Sequence, residues 1–127
     1  MKKILLVEDD AAIREALTIR LEAAGYHVIC AEDGLQGVAT AVRERPQLLI
    51  LDVSMPAGDG FSIVERLQTH TDLPPTPIIY LTASKRPEYP RRALELGAFA
   101  FFTKPFDSTE LLAAVADALE DGWVMVS

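Results

Sequence analysis

The sequence is poor in cysteine, in histidine and in long apolar runs. Its single cysteine, Cys30, excludes an internal disulfide and a thiolate metal cluster, and its two histidines have no companions at metal-ligand spacing. The apolar residues of Val28–Ala31 predict that the Cys30 thiol is a small core residue. No apolar run approaches the roughly 20 residues that a membrane-spanning helix needs.

Basic residues are also scarce relative to acidic ones. Twelve Lys and Arg stand against nineteen Asp and Glu, which gives a formal net charge of −7. Because a nucleic-acid surface needs clustered Lys and Arg, no direct contact with nucleic acid is expected. The first residues lack the longer apolar region and the cleavage site of a signal peptide. These features predict a cytoplasmic protein without membrane insertion, and the acidic balance favours a cation site or a partner with basic features.

The chain is instead rich in short apolar segments. At 127 residues, half of them hydrophobic, it is long enough for one domain with a single good core. Apolar runs of strand length predict five strands, at Lys3–Val7, Val28–Ala31, Leu48–Leu51, Ile78–Leu81 and Phe99–Phe102. Apolar residues at helical spacing follow each run. This alternation predicts an α/β domain with a parallel sheet that is covered on both faces.

Two helix starts are marked by particular residues. Pro87 and Pro90 predict a shortened fourth helix, which begins near Pro90 and ends near Leu96. The last helix has a complete start signal, with Asp107 as its cap and Glu110 three residues later.

Charged and polar side chains follow the predicted strands at their carboxyl ends. Glu8 and Asp9 follow the first strand, Asp52 the third, Thr82 the fourth and Lys104 the fifth. Parallel strands end at one edge of the sheet, and ligands of open α/β sheets bind at that edge. Crowded carboxylates repel one another, and a hard cation such as Mg²⁺ takes oxygen ligands. The sequence therefore predicts a cation site at this edge.

Most of these residues also have a purely structural explanation. The acidic run Glu8–Asp10 would favour the positive end of the next helix dipole. Thr82 could be a strand-end hydroxyl bonded to the backbone, and Lys104 a solvated surface lysine. An acid after the third strand could simply cap the next helix, although Asp59 could fill that role.

Four motifs in this order resemble the receiver domains of response regulators, the CheY-like modules of two-component signalling. They are Val7-Glu8-Asp9, Leu51-Asp52-x-x-Met55-Pro56, Leu81-Thr82-Ala83 and Lys104-Pro105-Phe106. The resemblance implies a five-stranded sheet of order 2-1-3-4-5, flanked by five helices. It implies a receiver domain over residues 1–121, followed by a short tail over 122–127.

The resemblance also implies a phosphoryl-transfer site. Asp52 would accept a phosphoryl group from a phosphohistidine on a sensor histidine kinase or a histidine phosphotransfer protein. Asp9, Asp52 and the backbone carbonyl of Ser54 would bind Mg²⁺, with Glu8 acting through water. The chain would not be an enzyme in its own right, because it would take part only in its own phosphotransfer and dephosphorylation.

The same resemblance implies how the phosphoryl group is held and read. Lys104 would supply positive charge to the phosphoryl oxygens, and Thr82 would donate a hydrogen bond to one of them. Thr82 and Phe101 would form a switch in which the ring turns inward. Phe99 and Ala100 add apolar surface to the fifth strand. This surface predicts that a partner, or a second copy of the chain, binds the fourth helix, fifth strand and last helix.

Other interpretations are less well matched. Haloacid-dehalogenase-type phosphatases, which also phosphorylate an aspartate, resemble Asp-x-Asp, but the second acid is here Ser54. A flavodoxin-like FMN binder would carry a Thr/Ser/Gly-rich loop after the first strand. A degenerate, docking-only receiver would not need the intact set of site residues. With no effector domain in view, the sequence predicts a stand-alone signalling or phosphorelay protein, with a receiver fragment of a larger regulator as the alternative.

Overall fold

The computed structural model describes residues 1–54, 59–69 and 74–120. Its five strands are β1 Lys3–Val7, β2 His27–Ala31, β3 Leu48–Asp52, β4 Ile78–Thr82 and β5 Ala100–Thr103. Its five helices are α1 Ala11–Ala23, α2 Gly34–Glu44, α3 Gly60–Leu67, α4 Glu88–Glu95 and α5 Ser108–Leu119. All strand pairs are parallel, in the order β2-β1-β3-β4-β5. The predicted α/β fold and strand order are confirmed.

The sheet separates two apolar cores. On one face, side chains such as Leu49 and Leu51 pack with residues of α2, α3 and α4. On the other face, side chains such as Ile4 and Ile50 pack with residues of α1 and α5. Every residue of β3 is buried, as expected for a parallel strand that is covered on both sides. Within the described ranges, no helix is both long enough and apolar enough to span a bilayer.

Four helices begin at an aspartate whose carboxylate accepts backbone N–H groups of the first turn. These caps are Asp10, Asp33, Asp59 and Asp107. Such capping satisfies donors that have no partner within the helix. Asp59 therefore caps α3, and Asp52 is left for other contacts.

Helix α4 differs from its prediction at the start, because it begins at Glu88 and not near Pro90. Pro87 already has helical dihedrals, with φ −66° and ψ −21°. Pro90 is then the third helical residue, where the missing N–H removes no intrahelical hydrogen bond and the fixed φ suits a helix. Strand β5 begins at Ala100, one residue later than predicted. The Phe99 N–H still bonds the Ile78 carbonyl, so the pairing itself starts at Phe99.

Cys30 is exposed and does not belong to the core, which corrects the prediction made from its apolar neighbours. The thiol lies on β2, an edge strand that pairs with β1 alone. Its sulfur is 3.3 Å from Thr18 Oγ1 on α1, at the rim of the helix–strand contact. Met55 and Pro56 of the third-strand motif, together with the predicted tail 122–127, lie outside the described residues.

Helix α4 is held to the rest of the domain by few side chains. Ala93 is its only buried residue. Tyr89 packs edge-on against Phe61 of α3, with ring centroids 5.5 Å apart, and Phe61 in turn contacts the ring of Tyr80 at 5.0 Å. Arg92 pairs with Glu65 of α3. The Tyr89 and Arg92 contacts tie α4 to α3.

Candidate phosphoryl-transfer site

Three carboxylates and one ammonium group meet at the carboxyl edge of the sheet. Glu8, Asp9 and Asp52 each place one carboxylate oxygen within 4.8 Å of the others. Lys104 Nζ lies 2.7 Å from Glu8 Oε1 and 3.3 Å from Asp52 Oδ2. Glu8 and Asp52 are buried, whereas Asp9 is exposed. The site is therefore open to solvent on the side of Asp9.

The strand register explains why these groups meet. Val7 of β1 is paired with Leu51 of β3, so Glu8, which follows β1, lies beside Asp52, the last residue of β3. The Lys104 N–H donates to the Thr82 carbonyl over 2.7 Å, which continues the pairing of β5 with β4 beyond the strand. The peptide bond from Lys104 to Pro105 is cis. The lysine side chain is long enough to reach both acids from there.

The ionisation of Asp52 reflects this crowding. Burial, together with the hydrogen-bonding and charge interaction with Glu8, raises the pKa of Asp52 to about 7. The Ser54 N–H, which donates to Asp52 Oδ1 over 3.0 Å, and the charge of Lys104 act in the opposite direction. Burial alone would lower the pKa of Lys104, but its contacts with Glu8 and Asp52 outweigh burial and raise it. The site therefore holds more negative charge than one ammonium group can neutralise.

This donor set fits a divalent cation. Mg²⁺ prefers oxygen ligands and is commonly held by one or two carboxylates while it keeps several waters. Asp9 and Asp52 supply such oxygens, and Glu8 lies beside them. Ser54 is held next to Asp52 by the hydrogen bond from its N–H, so its backbone carbonyl stays a candidate ligand. A bound cation would offset the burial and the repulsion from Glu8 that raise the pKa of Asp52.

Gly60 is a site residue that the sequence reasoning treated only as part of an irregular loop. A Cβ atom at position 60 would lie 2.7 Å from the backbone oxygen of Asp52 and 3.2 Å from Leu51 Cβ. The start of α3 therefore passes directly against the backbone that carries Asp52, and only glycine fits without a shift. The signal in the sequence is the glycine that follows the Asp59 cap.

The residues predicted to read the phosphoryl group lie near the site but in different environments. Thr82 is fully buried, and its Oγ1 accepts a 3.0 Å hydrogen bond from the Ser84 N–H, which leaves its own proton free to be donated. Phe101 is half-buried against the core under α3 and α4. Phe99 and Ala100 are half-buried against the core under α1 and α5. The large apolar side chain most exposed on α4 is Leu94.

The comparisons with known proteins agree on one protein family, the response regulators. The family model of the response regulator receiver domain matches residues 4–116. The DNA-binding dual master transcriptional regulator RpaA of Synechocystis sp. is 40% identical over 115 residues, which cover 91% of this chain and 48% of RpaA. The phosphate regulon transcriptional regulatory protein PhoB of Pseudomonas aeruginosa is 38% identical over 118 residues, which cover 93% of this chain and 52% of PhoB. The chain spans about half the length of the curated relatives it matches.

Solved structures agree in fold. The chemotaxis response regulator CheY4 of Vibrio cholerae superposes with a TM-score of 0.85 at 34% identity, covering 94% of this chain and 99% of the CheY4 chain. A CheY-like response regulator receiver domain protein from Methanospirillum hungatei superposes with a TM-score of 0.86 at 29% identity, covering 94% of each chain.

Proposed function

Because the chain belongs to the response regulator receiver domain family of two-component signalling, we propose that it accepts a phosphoryl group on Asp52. The donor would be a phosphohistidine on a sensor histidine kinase or a histidine phosphotransfer protein. The observation that carries the proposal is the placement of Asp52, a buried acid at the end of β3 that lies beside Lys104, Glu8 and Asp9. Asp59, the other acid of this region, is engaged as the cap of α3.

In the proposed reaction, a carboxylate oxygen of Asp52 forms a bond to phosphorus while the phosphorus–nitrogen bond of the phosphohistidine breaks. The bonding electrons stay with the imidazole, which takes up a proton. Asp52 must be ionised to attack, and Lys104 favours that ionised form. Mg²⁺, held by Asp9, Asp52 and the Ser54 carbonyl with Glu8 acting through water, would neutralise charge on the transferred oxygens.

Lys104 and Thr82 would hold the phosphoryl group once it has formed. The Lys104 ammonium already lies 3.3 Å from Asp52 Oδ2, within reach of a group attached to that carboxylate. The Thr82 hydroxyl keeps a proton to donate, because its present hydrogen bond uses the oxygen as acceptor. Donors fixed in this way stabilise developing negative charge without reorganising during the reaction.

The proposed cation site predicts that magnesium stabilises the fold. A ligand that binds only the native state at ten times its dissociation constant contributes about 1.4 kcal/mol. For a domain of this size, that corresponds to a rise in melting temperature of about 4–6 °C. The rise is measured by thermal unfolding with MgCl₂ in parent and Asp9→Ala, and it should be blunted in the variant. An equal rise with NaCl at matched ionic strength would mean charge screening and would contradict the site.

We further propose that phosphorylation is read on the surface formed by α4, β5 and α5. Thr82 would move towards the phosphoryl group, and the Phe101 ring would turn inward into the space beside it. Helix α4 is suited to move, because Ala93 is its only buried residue and its main anchors are the Tyr89 and Arg92 contacts with α3. A segment with few buried contacts opens at low cost in free energy.

Substitutions at Leu94 and Phe99 distinguish a residue that contacts a partner from a residue that mainly stabilises the fold. The Leu94 side chain is 75% exposed, so Leu94→Asp should weaken association with a partner or a second copy by about tenfold and cost no more than about 1 kcal/mol of stability, from its place in the last turn of α4. The Phe99 side chain is half-buried against the α1 and α5 core, so Phe99→Asp should cost about 1–3 kcal/mol of unfolding free energy. Light scattering with and without a phosphoryl mimic, together with urea unfolding, measures both quantities. Leu94→Asp that associates like the parent would contradict this surface.

A second candidate for the output is the receiver segment of a larger transcriptional regulator. The observation that favours it is the nature of RpaA and PhoB, which are about twice as long as this chain and are named as transcriptional regulators. In that case a separate effector domain would contact DNA, and this acidic domain would not. The mass of the protein isolated from its source separates this candidate from a stand-alone signalling or phosphorelay protein.

A further inference from the structure

Arg14 on α1 reaches back to the turn between β1 and α1. Its Nη1 donates a 2.7 Å hydrogen bond to the backbone carbonyl of Glu8, and its Nη2 lies 3.5 Å from Glu32 Oε1. The Arg14 side chain is 19% exposed, whereas the Glu32 side chain is 65% exposed. Because exposed ion pairs contribute little stability, the bond to the Glu8 carbonyl is the contact with structural consequence.

The carbonyl that Arg14 holds belongs to the peptide group joining Glu8 to Asp9. A peptide group is planar, so fixing its oxygen restricts ψ of Glu8 and φ of Asp9 together. Glu8 has other restraints, because its N–H donates to the Ala31 carbonyl and its carboxylate accepts from the Asp10 N–H, each over 3.1 Å. The Asp9 side chain makes no hydrogen bond or ion pair with any residue that the structure describes. Among the residues that the structure describes, only the backbone directs this carboxylate.

We infer that Arg14 is a positioning residue that aims the Asp9 carboxylate at the cation site by holding the Glu8–Asp9 peptide group. This inference rests on the proposed magnesium site. A guanidinium group suits the task, because its planar fork of N–H donors contacts the Glu8 carbonyl and Glu32 at the same time. A lysine at this position would offer a single flexible ammonium group.

Two effects of Arg14 on a bound cation have opposite signs. Its positive charge repels a cation in the site, so loss of the charge alone would tighten binding. Loss of the bond to the Glu8 carbonyl would release the Asp9 carboxylate and weaken binding, by about tenfold for a residue that supports a metal ligand. The direction of the change in the dissociation constant therefore separates positioning from charge.

The test is the dissociation constant for Mg²⁺, measured on the full chain by calorimetry and by the rise of melting temperature with MgCl₂. The variants are Arg14→Ala, Arg14→Lys and Arg20→Ala. Arg20 is exposed on the same helix, so Arg20→Ala makes the same change in charge without touching the turn. We expect the constant to rise about tenfold in Arg14→Ala, by about threefold or more in Arg14→Lys, and by less than about twofold in Arg20→Ala.

Saturating magnesium provides an independent readout. Phosphoryl labelling of Arg14→Ala should then return to within about twofold of the parent rate, because a positioning residue affects labelling only through the affinity for the cation. An unchanged or lower dissociation constant in Arg14→Ala, or equal increases in Arg14→Ala and Arg20→Ala, would overturn the inference. Slow labelling that persists at saturating magnesium would overturn it too. If Arg14→Ala does not fold, the dissociation constant of Arg14→Lys for Mg²⁺ tests the inference instead. A parent chain that binds no Mg²⁺ would contradict the proposed function instead.

Discussion

Asp52→Asn should abolish the gain of one phosphoryl group when the chain is incubated with acetyl phosphate and magnesium. An amide oxygen is a far weaker nucleophile than a carboxylate and carries no charge for a cation or for Lys104 to stabilise. Intact mass spectrometry measures the gain directly. Asp33→Asn is the matched control, since it makes the same acid-to-amide change in the cap of α2, and asparagine caps a helix as well as aspartate does. Undiminished labelling of Asp52→Asn would show that another residue is the acceptor.

The same substitution should stabilise the protein at alkaline pH when no divalent cation is present. The pKa of Asp52 is about 7 in the fold, above its ordinary value of 3.8, so the folded state binds the proton more tightly than the unfolded state. This contribution to stability is complete below about pH 4 and is lost as pH rises to about 7. Urea unfolding at pH 8 should therefore show Asp52→Asn more stable than the parent by about 1–3 kcal/mol, and the gap should narrow at pH 5.

Lys104→Ala is expected to lower both the stability and the phosphoryl labelling strongly, because it removes the ammonium group that contacts two buried acids, Glu8 and Asp52. Removing one partner of a buried ion pair lowers the unfolding free energy by about 3–5 kcal/mol, since the remaining charge is left without a partner. Protonation of Asp52 can relieve part of this cost, so the loss should be larger at pH 8 than at pH 5. Phosphoryl labelling should also fall by about 10²-fold or more, as expected when a charge-stabilising donor is removed from an active site.

Two variants control the Lys104 experiment. Lys85→Ala removes an exposed lysine of the turn before α4 and should change the unfolding free energy by less than about 0.5 kcal/mol. The double variant Lys104→Ala/Asp52→Asn removes one of the uncompensated charges and should recover part of the lost stability, which gives the coupling between the two residues. A Lys104→Ala variant that loses no more stability than Lys85→Ala would mean that Lys104 is an ordinary surface lysine.

The sequence predicted most of the sheet and the residues at its carboxyl edge, because both follow from local patterns. Buried parallel strands have short apolar runs, and the residue after each run must leave the sheet at the same edge. Glu8, Asp52 and Lys104 were therefore placed at this edge without any tertiary information, whereas their roles in phosphoryl transfer came from the resemblance to receiver domains and stay predictions. Their mutual distances required only the strand order and the register of β1 with β3.

Other features depend on contacts that no local pattern contains. Cys30 lies in an apolar segment, yet β2 is an edge strand, and exposure at an edge is set by strand order. The requirement for glycine at position 60 comes from the approach of α3 to the backbone of Asp52. The half-buried position of Phe99 against the core under α1 and α5 likewise depends on how these helices cross the sheet. Each of these depends on how separate elements of the fold approach one another.

The crowded acids of this site have a consequence for the evolution of such domains. Glu8 and Asp52 are buried together, and burial together with the interaction with Glu8 raises the pKa of Asp52, a cost that the proposed phosphoryl-transfer site would justify. If Asp52 is the phosphoacceptor, as we propose, substitutions that neutralise it would destroy phosphorylation and strengthen the fold in one step. A gene copy released from selection for signalling should therefore drift towards losing this acid early, whereas its apolar core would stay under selection. Descendants of this lineage that keep the fold and only dock to other proteins would be recognisable by a neutral residue at position 52.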